Sequence, residues 1–197
     1  MPTILTHAAV PLALGLGLGH RVISRRLLFA GIFAAILPDL DVAAFRFGIA
    51  YADSFGHRGA SHSILFALAT GLLALGCARA LRTTRLTAFF FIGLSTLSHG
   101  LLDMVTNGGL GIAMFWPWSD VRYFAPWQVI EVSPLSLHRV FSPRGVAVLK
   151  SELLWVWLPA ALSFLLLFFA RHSRWGFINP KSEKHATTTP ASLYNKN

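Results

Sequence analysis

The chain has 197 residues, of which 54% are hydrophobic and 13% charged, with a formal net charge of +9 at pH 7. A soluble domain of this length carries about 25% charge, so this composition, with a mean hydropathy of +0.58, excludes an ordinary soluble enzyme and fits one membrane-embedded domain. Lys and Arg gather between apolar runs and in the tail, not in a stripe interleaved with polar residues, which reads as topology signal and lipid-headgroup contact and not as nucleic-acid binding.

Five apolar segments follow in order, and their Ala/Leu-rich, unalternating runs favour helices over strands. The first, Ile4–Gly19, is short and glycine-rich; its "GLGLGH" lacks the strand and the acidic residue of a dinucleotide site and reads as helix packing by small residues. The second, Leu27–Ile49, is interrupted by "PDLD", where Pro38 is expected to perturb the helix. The third is Ser63–Leu81. It holds the single cysteine, Cys77, which has no disulfide or thiolate-metal partner and reads as a small buried hydrophobe. The fourth, Leu86–Val105, contains "SHGLLD", and the fifth, Leu153–Ala170, is the cleanest. A spanning helix needs about 20 residues; segments three to five meet this, while the first is marginal. The expected architecture is therefore an all-α bundle of about five spanning helices over residues 1–175, followed by a polar tail, 176–197, that reads as disordered. A Trp- and Pro-rich stretch, Asn107–Lys150, joins helices four and five, and its "FWPWSD" reads as an interfacial anchor or a lid. The N-terminus lacks the positive region of a signal peptide and is expected to be retained.

If all five segments span, the two short basic loops and the tail place eleven Lys and Arg on one side and six on the other. The positive-inside rule then puts the tail in the cytoplasm and the N-terminus outside. The scarce ionisable groups of the apolar segments carry separate information, because each is costly in a membrane unless it meets a partner, a cavity or a metal. His7, Asp39, Asp41, His57, His62, His99 and Asp103 all fall at the outward ends of their segments. His99 and Asp103, four apart, share a helix face. Asp39 and Asp41, about 200° apart on a regular helix, serve one site only if that turn is irregular, which favours Asp39. In "HRGASHS", Gly59 permits a turn, Ser61 is the expected N-cap, and His57 is expected to fold back toward His62. His20, His172 and His185 read as solvated, His138 and Arg139 as possible pocket residues, and Asp53, Asp120, Glu131, Glu152 and Glu183 as surface groups. A ligand set of imidazole and carboxylate without cysteine suits Zn²⁺, and also Mn²⁺ or Fe²⁺, as one or two ions.

In order, "THAAV" (Thr6–Val10), "LPDLD" (Leu37–Asp41), "HRGASHS" (His57–Ser63), "SHGLLDMVT" (Ser98–Thr106) and "FWPWS" (Phe115–Ser119) resemble the YdjM-like family of predicted bacterial inner-membrane metal-dependent hydrolases. The resemblance covers roughly the first 120 residues. It implies a multi-pass inner-membrane protein in which His7, Asp39, His57, His62, His99 and Asp103 are metal ligands or their close partners. The expected activity is hydrolysis of an ester or phosphoester of a lipid or lipid-like substrate by metal-activated water. Asp41 or Asp103, whichever is not a ligand, is the candidate base, and Arg58 the candidate contact for developing negative charge. Two other classes compete: an ion or proton transporter, which would need polar groups through the full depth of the bilayer, and a non-catalytic protein whose helix ends are stapled by metal.

Overall fold

The computed structural model describes residues 2–133 and 142–178. His138, Arg139, His185 and most of the expected tail lie outside the described residues. Six α-helices among the described residues carry the fold: α1 (Ala9–Leu18), α2 (Arg25–Ile36), α3 (Ile64–Cys77), α4 (Arg85–Met104), α5 (Pro143–Glu152) and α6 (Leu158–Ile178). Among the described residues there are no strands, only two isolated bridges, Thr106 with Ile130 and Ile112 with Tyr123.

Local chemistry sets the helix starts. Ser24, Ser63, Thr84 and Ser142 each turn an oxygen onto the backbone N–H three residues on, and so cap α2, α3, α4 and α5. Each satisfies a donor that the helix itself cannot. The cap of α3 is Ser63 and not Ser61, because one 3₁₀ turn, Ala60–His62, precedes the helix. After Ile36 the α2 chain does not stop but tightens into a 3₁₀ helix, Leu37–Phe47, with Pro38 in its first turn, and Gly48 ends it in the left-handed region at φ 74°.

Among the described residues three stretches are long and apolar enough to cross a membrane: Arg25–Phe47, Arg85–Met104 and Pro143–Ser173, the last joining α5 and α6 through a π-helical turn, Leu153–Trp157. Thr6–Leu18 and Ile64–Cys77 are apolar but shorter. The expected five spans thus become three full-length helices and two short ones. The short pair are nonetheless woven between the long ones. Thr70 of α3 shares a hydrogen bond of 2.9 Å with Thr96 of α4. A side chain at Gly15 would meet Leu28, and one at Gly17 would meet Leu167. "GLGLG" is therefore the place where α1 lets α2 and α6 approach, as small residues do in apolar bundles.

The polypeptide passes back and forth between two ends. Ile23, Leu27, Ala78, Ala88 and Phe91 pack as a core near one end, where Ser24 Oγ donates to the carbonyl of Leu81. Ala9, Ile130 and Val156 pack near the other. Cys77, expected to be buried, is exposed. In a lipid-facing helix an apolar residue need not be an inward one, so its apolar surroundings in the sequence did not indicate depth.

Candidate metal centre

At the second end, four elements deliver the scarce polar side chains to one place. A 3₁₀ turn, Thr6–Ala8, carries His7; the tightened extension of α2 carries Asp39 and Asp41; the turn before α3 carries His57, Arg58 and His62; and the last turns of α4 carry His99 and Asp103. His7, His99, Arg58 and Asp103 are fully enclosed, and Asp39, His57 and His62 are at most 5% exposed. All seven residues that the sequence placed at one membrane face meet here, together with Arg58.

His62 is the pivot. Its Nδ1 lies 3.3 Å from Asp41 Oδ2, and its Nε2 lies 3.0 Å from His99 Nε2 and 3.4 Å from Asp103 Oδ2. His99 turns its Nδ1 onto the carbonyl of Ala35 at 2.7 Å. That contact places the Nδ1 proton and leaves Nε2, 3.4 Å from Asp39 Oδ1, as a lone pair. His7 stacks on His99 with ring centres 3.7 Å apart and points Nε2 between Asp39 and Asp103, at 3.7 and 3.8 Å.

Two groups emerge. Asp39, His62, His99 and Asp103 each offer a ligand atom within 4.8 Å of the others, and Asp41, His57 and His62 form a neighbouring set. The 3₁₀ geometry brings the aspartates nearer to one face. At three residues per turn, Asp39 and Asp41 stand about 120° apart the short way round, against about 160° on a regular α-helix; Asp39 enters the inner group, and Asp41 meets the other nitrogen of His62. Asp41 is occupied: Oδ1 meets His57 Nδ1 at 2.6 Å, and Oδ2 accepts from Ser61 Oγ at 2.6 Å and from the Arg58 N–H at 3.1 Å. Ser61, expected to cap a helix, instead holds Asp41.

Arg58 is occupied as well. Nη1 donates to Gly108 O at 2.8 Å and Nη2 to Thr106 Oγ1 at 2.9 Å. Nε lies 2.9 Å from Asp103 Oδ2, an ion pair by distance, though its N–H is not aligned for a hydrogen bond. A buried guanidinium with these partners orients Asp103, which differs from the anion contact expected of it. Its backbone sits at φ 65°, and the next residue must be glycine for a steric reason: a Cβ on Gly59 would lie 2.2 Å from the carbonyl oxygen of Ser54. Gly59→Ala is expected to destabilise the protein by about 2 kcal/mol, read as a lowered thermal midpoint in detergent.

The inner group is chemically incomplete. His7 Nδ1 and Nε2, both oxygens of Asp39 and both of Asp103 are buried without a hydrogen-bond partner. Orphaned buried polar atoms cost about 1–3 kcal/mol each, and here they converge on His62 and His99. Imidazole nitrogen and carboxylate oxygen are the donors that a borderline divalent cation takes, so the residues present fit a metal ion. The contacts behind them fit too: Asp41 on the far nitrogen of His62, the Ala35 carbonyl on that of His99 and Arg58 on Asp103 are the outer supports that orient such ligands.

Burial alone would lower the pKa of His62, but the carboxylates of Asp103 and Asp41 facing its two nitrogens outweigh it and raise it to about 9.

Two residues escaped the sequence reading. Glu152, assigned to the surface, is buried: one oxygen accepts from the Thr3 N–H, and the other from the Thr3 and Thr6 hydroxyls at 2.8 Å each. Thr6 also accepts from Trp157 Nε1 at 3.2 Å. Glu152 thus ties the segment bearing His7 to α5, and its place at the edge of an apolar run was the only available signal. Glu152→Ala is expected to cost about 2–3 kcal/mol through the stranded hydroxyls and N–H, and to open residues 3–8 to limited proteolysis. Arg122 was also passed over; it clamps the chain before "HRG" by donating to the carbonyls of Tyr51, Asp53 and His57.

Comparison with known proteins gives the lineage. The family described as YdjM inner membrane protein matches residues 1–176. "Inner membrane protein YbcI" of Escherichia coli (strain K12) is 54% identical over 172 residues, covering 87% of this chain and 99% of that protein. No solved structure matches. Every residue of the His/Asp cluster lies within the matched span, and the chain belongs to the YdjM family of inner membrane proteins.

Proposed function

We propose that this protein is a metal-dependent hydrolase of the inner membrane, with Asp39, His62, His99 and Asp103 holding a divalent ion, Zn²⁺ first and Mn²⁺ or Fe²⁺ next, and His7 closing the site. The observation that carries the reading is the set of partnerless atoms of His7, Asp39 and Asp103 converging in one enclosed place. When bound there, a divalent ion supplies Lewis acidity, polarising an ester or phosphoryl oxygen and acidifying water. The chain's own residues divide the remaining work. Arg58 fixes the Asp103 carboxylate, the Ala35 carbonyl fixes the tautomer of His99, and Asp41 with Ser61 and His57 orients His62. With Asp103 taken as a ligand, Asp41 remains the candidate base, oriented by its contacts with His57, Ser61 and the Arg58 N–H.

The substrate class follows from what adjoins Asp41. A cleft of about 390 Å³ is lined by the polar Asp41 and Ser61 and by the apolar Phe55, Leu65, Phe66, Ala69 and Trp116. A mostly apolar lining with a few polar groups suits an amphiphile such as a lipid or lipid-linked ester. Trp116, from the Trp-rich turn, meets Phe55 edge-on at 5.6 Å and forms one wall. The distribution of Lys and Arg supports a site toward the outer leaflet and a cytoplasmic C-terminus.

A second reading is favoured by the depth of burial. Four ligands closed from solvent are the habit of structural metal sites, whereas catalytic ones keep a position open. A stapled bundle end without chemistry would look like this.

Metal analysis of detergent-purified wild type against His62→Ala and Asp103→Ala tests the shared premise, and turnover of phospholipid and lipid-ester panels separates the readings. Wild type purified without metal, and taking none up, would remove both. Bound metal with no turnover would leave the staple. Because His62 is held protonated at pH 7, metal uptake is expected to release a proton and to weaken as pH falls below about 9. Calorimetric enthalpies that vary with the buffer's ionisation heat would register that release.

A further inference from the structure

The end of the bundle remote from the His/Asp cluster holds another site. Arg85 begins α4 there, and Asp103 lies 18 residues along the same helix, about 27 Å away at 1.5 Å per residue. A cavity of about 280 Å³ opens where α1 and α6 meet, lined by Leu18, Gly19, His20, Arg21, Arg171 and His172. Four of its six residues are cationic or can become so, and none is acidic. The surroundings reinforce this sign. Arg26 donates to the carbonyl of Ala80 at 3.0 Å, bringing the Arg79–Arg85 loop to the same end, while the described carboxylates, Asp39, Asp41, Asp53, Asp103, Asp120, Glu131 and Glu152, belong to other segments.

Arg171 is seated by the backbone. Gly19 has φ 78°, and a Cβ there would overlap the Arg171 guanidinium. The guanidinium also lies 5.3 Å from the Phe168 ring centre, and no carboxylate pairs with it among the described residues. Just before the cavity on the same two helices, Leu16, Leu166 and Phe169 are exposed. A cationic mouth at the head of an apolar surface is complementary to an anionic amphiphile and has no use for the apolar strip if its ligand is a free anion.

We propose that this cavity binds the phosphate headgroup of an anionic phospholipid, with the acyl chains lying along the exposed faces of α1 and α6. The site is independent of the metal reading, since no residue is shared. The test is native mass spectrometry of the detergent-purified full chain, titrated with phosphatidylglycerol or with phosphatidylcholine of the same acyl chains. Phosphatidylglycerol is expected to be retained in preference, and Arg171→Gln to weaken it about tenfold, the size of one charge-assisted hydrogen bond. His20→Gln, at an exposed position, is expected to weaken it in the same direction, and serves if Arg171→Gln does not fold. Arg79→Gln, at the same end but outside the cavity, is expected to leave it unchanged. Equal retention of the two lipids would overturn the proposal, as would an equal loss in Arg79→Gln, which would mean diffuse attraction to a basic surface. Displacement of the lipid by millimolar inorganic phosphate would overturn the lipid assignment in favour of a free anion.

Discussion

Asp103→Ala is expected to abolish stoichiometric metal retention and to destabilise the protein by about 3–5 kcal/mol, the usual result of removing one member of a buried ion pair. The two losses have different origins. Asp103 is one of the four residues whose ligand atoms lie within 4.8 Å of one another, so its removal subtracts a donor. It is also the carboxylate facing Arg58 Nε at 2.9 Å, and without it a guanidinium is left enclosed with no opposite charge. A paired substitution, Asp103→Leu with Arg58→Met, separates the effects: it removes both charges at similar volume and is expected to recover much of the stability while recovering no metal. Asp41→Asn makes the contrast from the other side. Asp41 touches the far nitrogen of His62, so its change is expected to weaken metal affinity by about 10–100-fold while stoichiometry at saturating metal is kept. Chelator competition on the three variants measures this directly. If Asp103→Ala and Asp41→Asn lose metal to the same degree, the division between the inner group and its outer supports is wrong.

Much of this arrangement was legible before any coordinates. In a chain with 13% charged residues, each His or Asp inside an apolar run is costly to keep there, and the runs' order alone placed seven of them at one face. Burial depth was harder to read. Cys77 and Glu152 show why: apolar neighbours in sequence indicate membrane or core but not which, so Cys77 looked buried and is exposed, while Glu152 looked peripheral and is enclosed. Local geometry was legible only in kind. Pro38 signalled an irregular helix, but not that eleven residues, Leu37–Phe47, would wind as 3₁₀ and bring both Asp39 and Asp41 to the cluster. Ser61 and Ser63 are both good caps by type; the choice between them was made by Asp41, which takes the Ser61 hydroxyl, a contact across 20 residues that no local pattern carries. Arg58 had a free choice of roles in sequence and lost it in the fold, where Thr106, Gly108 and Asp103 surround it.

Stripping the metal with a chelator is expected to lower the thermal midpoint by about 10 °C, and re-addition of Zn²⁺ to restore it. Anything that binds the native state alone stabilises it by about 4 kcal/mol at a thousandfold excess over Kd, and at this chain length each kcal/mol moves the midpoint by about 2–4 °C. The structural reason for expecting a large response is that the proposed ligands come from separate stretches of chain. Asp39, His62, His99 and Asp103 belong to the ends of α2, α3 and α4, with His7 beside them on the turn before α1, so one ion would clamp the open ends of helices that otherwise meet there through unpaired polar atoms. The response should vanish in His99→Ala and persist in His172→Ala, because His172 lies at the basic end and contacts Phe168, not the cluster. A chelator-insensitive midpoint in a protein that demonstrably carries metal would place the ion elsewhere. A large midpoint shift accompanied by lipid turnover that is lost on stripping and regained with Zn²⁺ would show that the clamp is also the reacting centre; the same shift without turnover would leave the ion as the device that closes the end of the bundle.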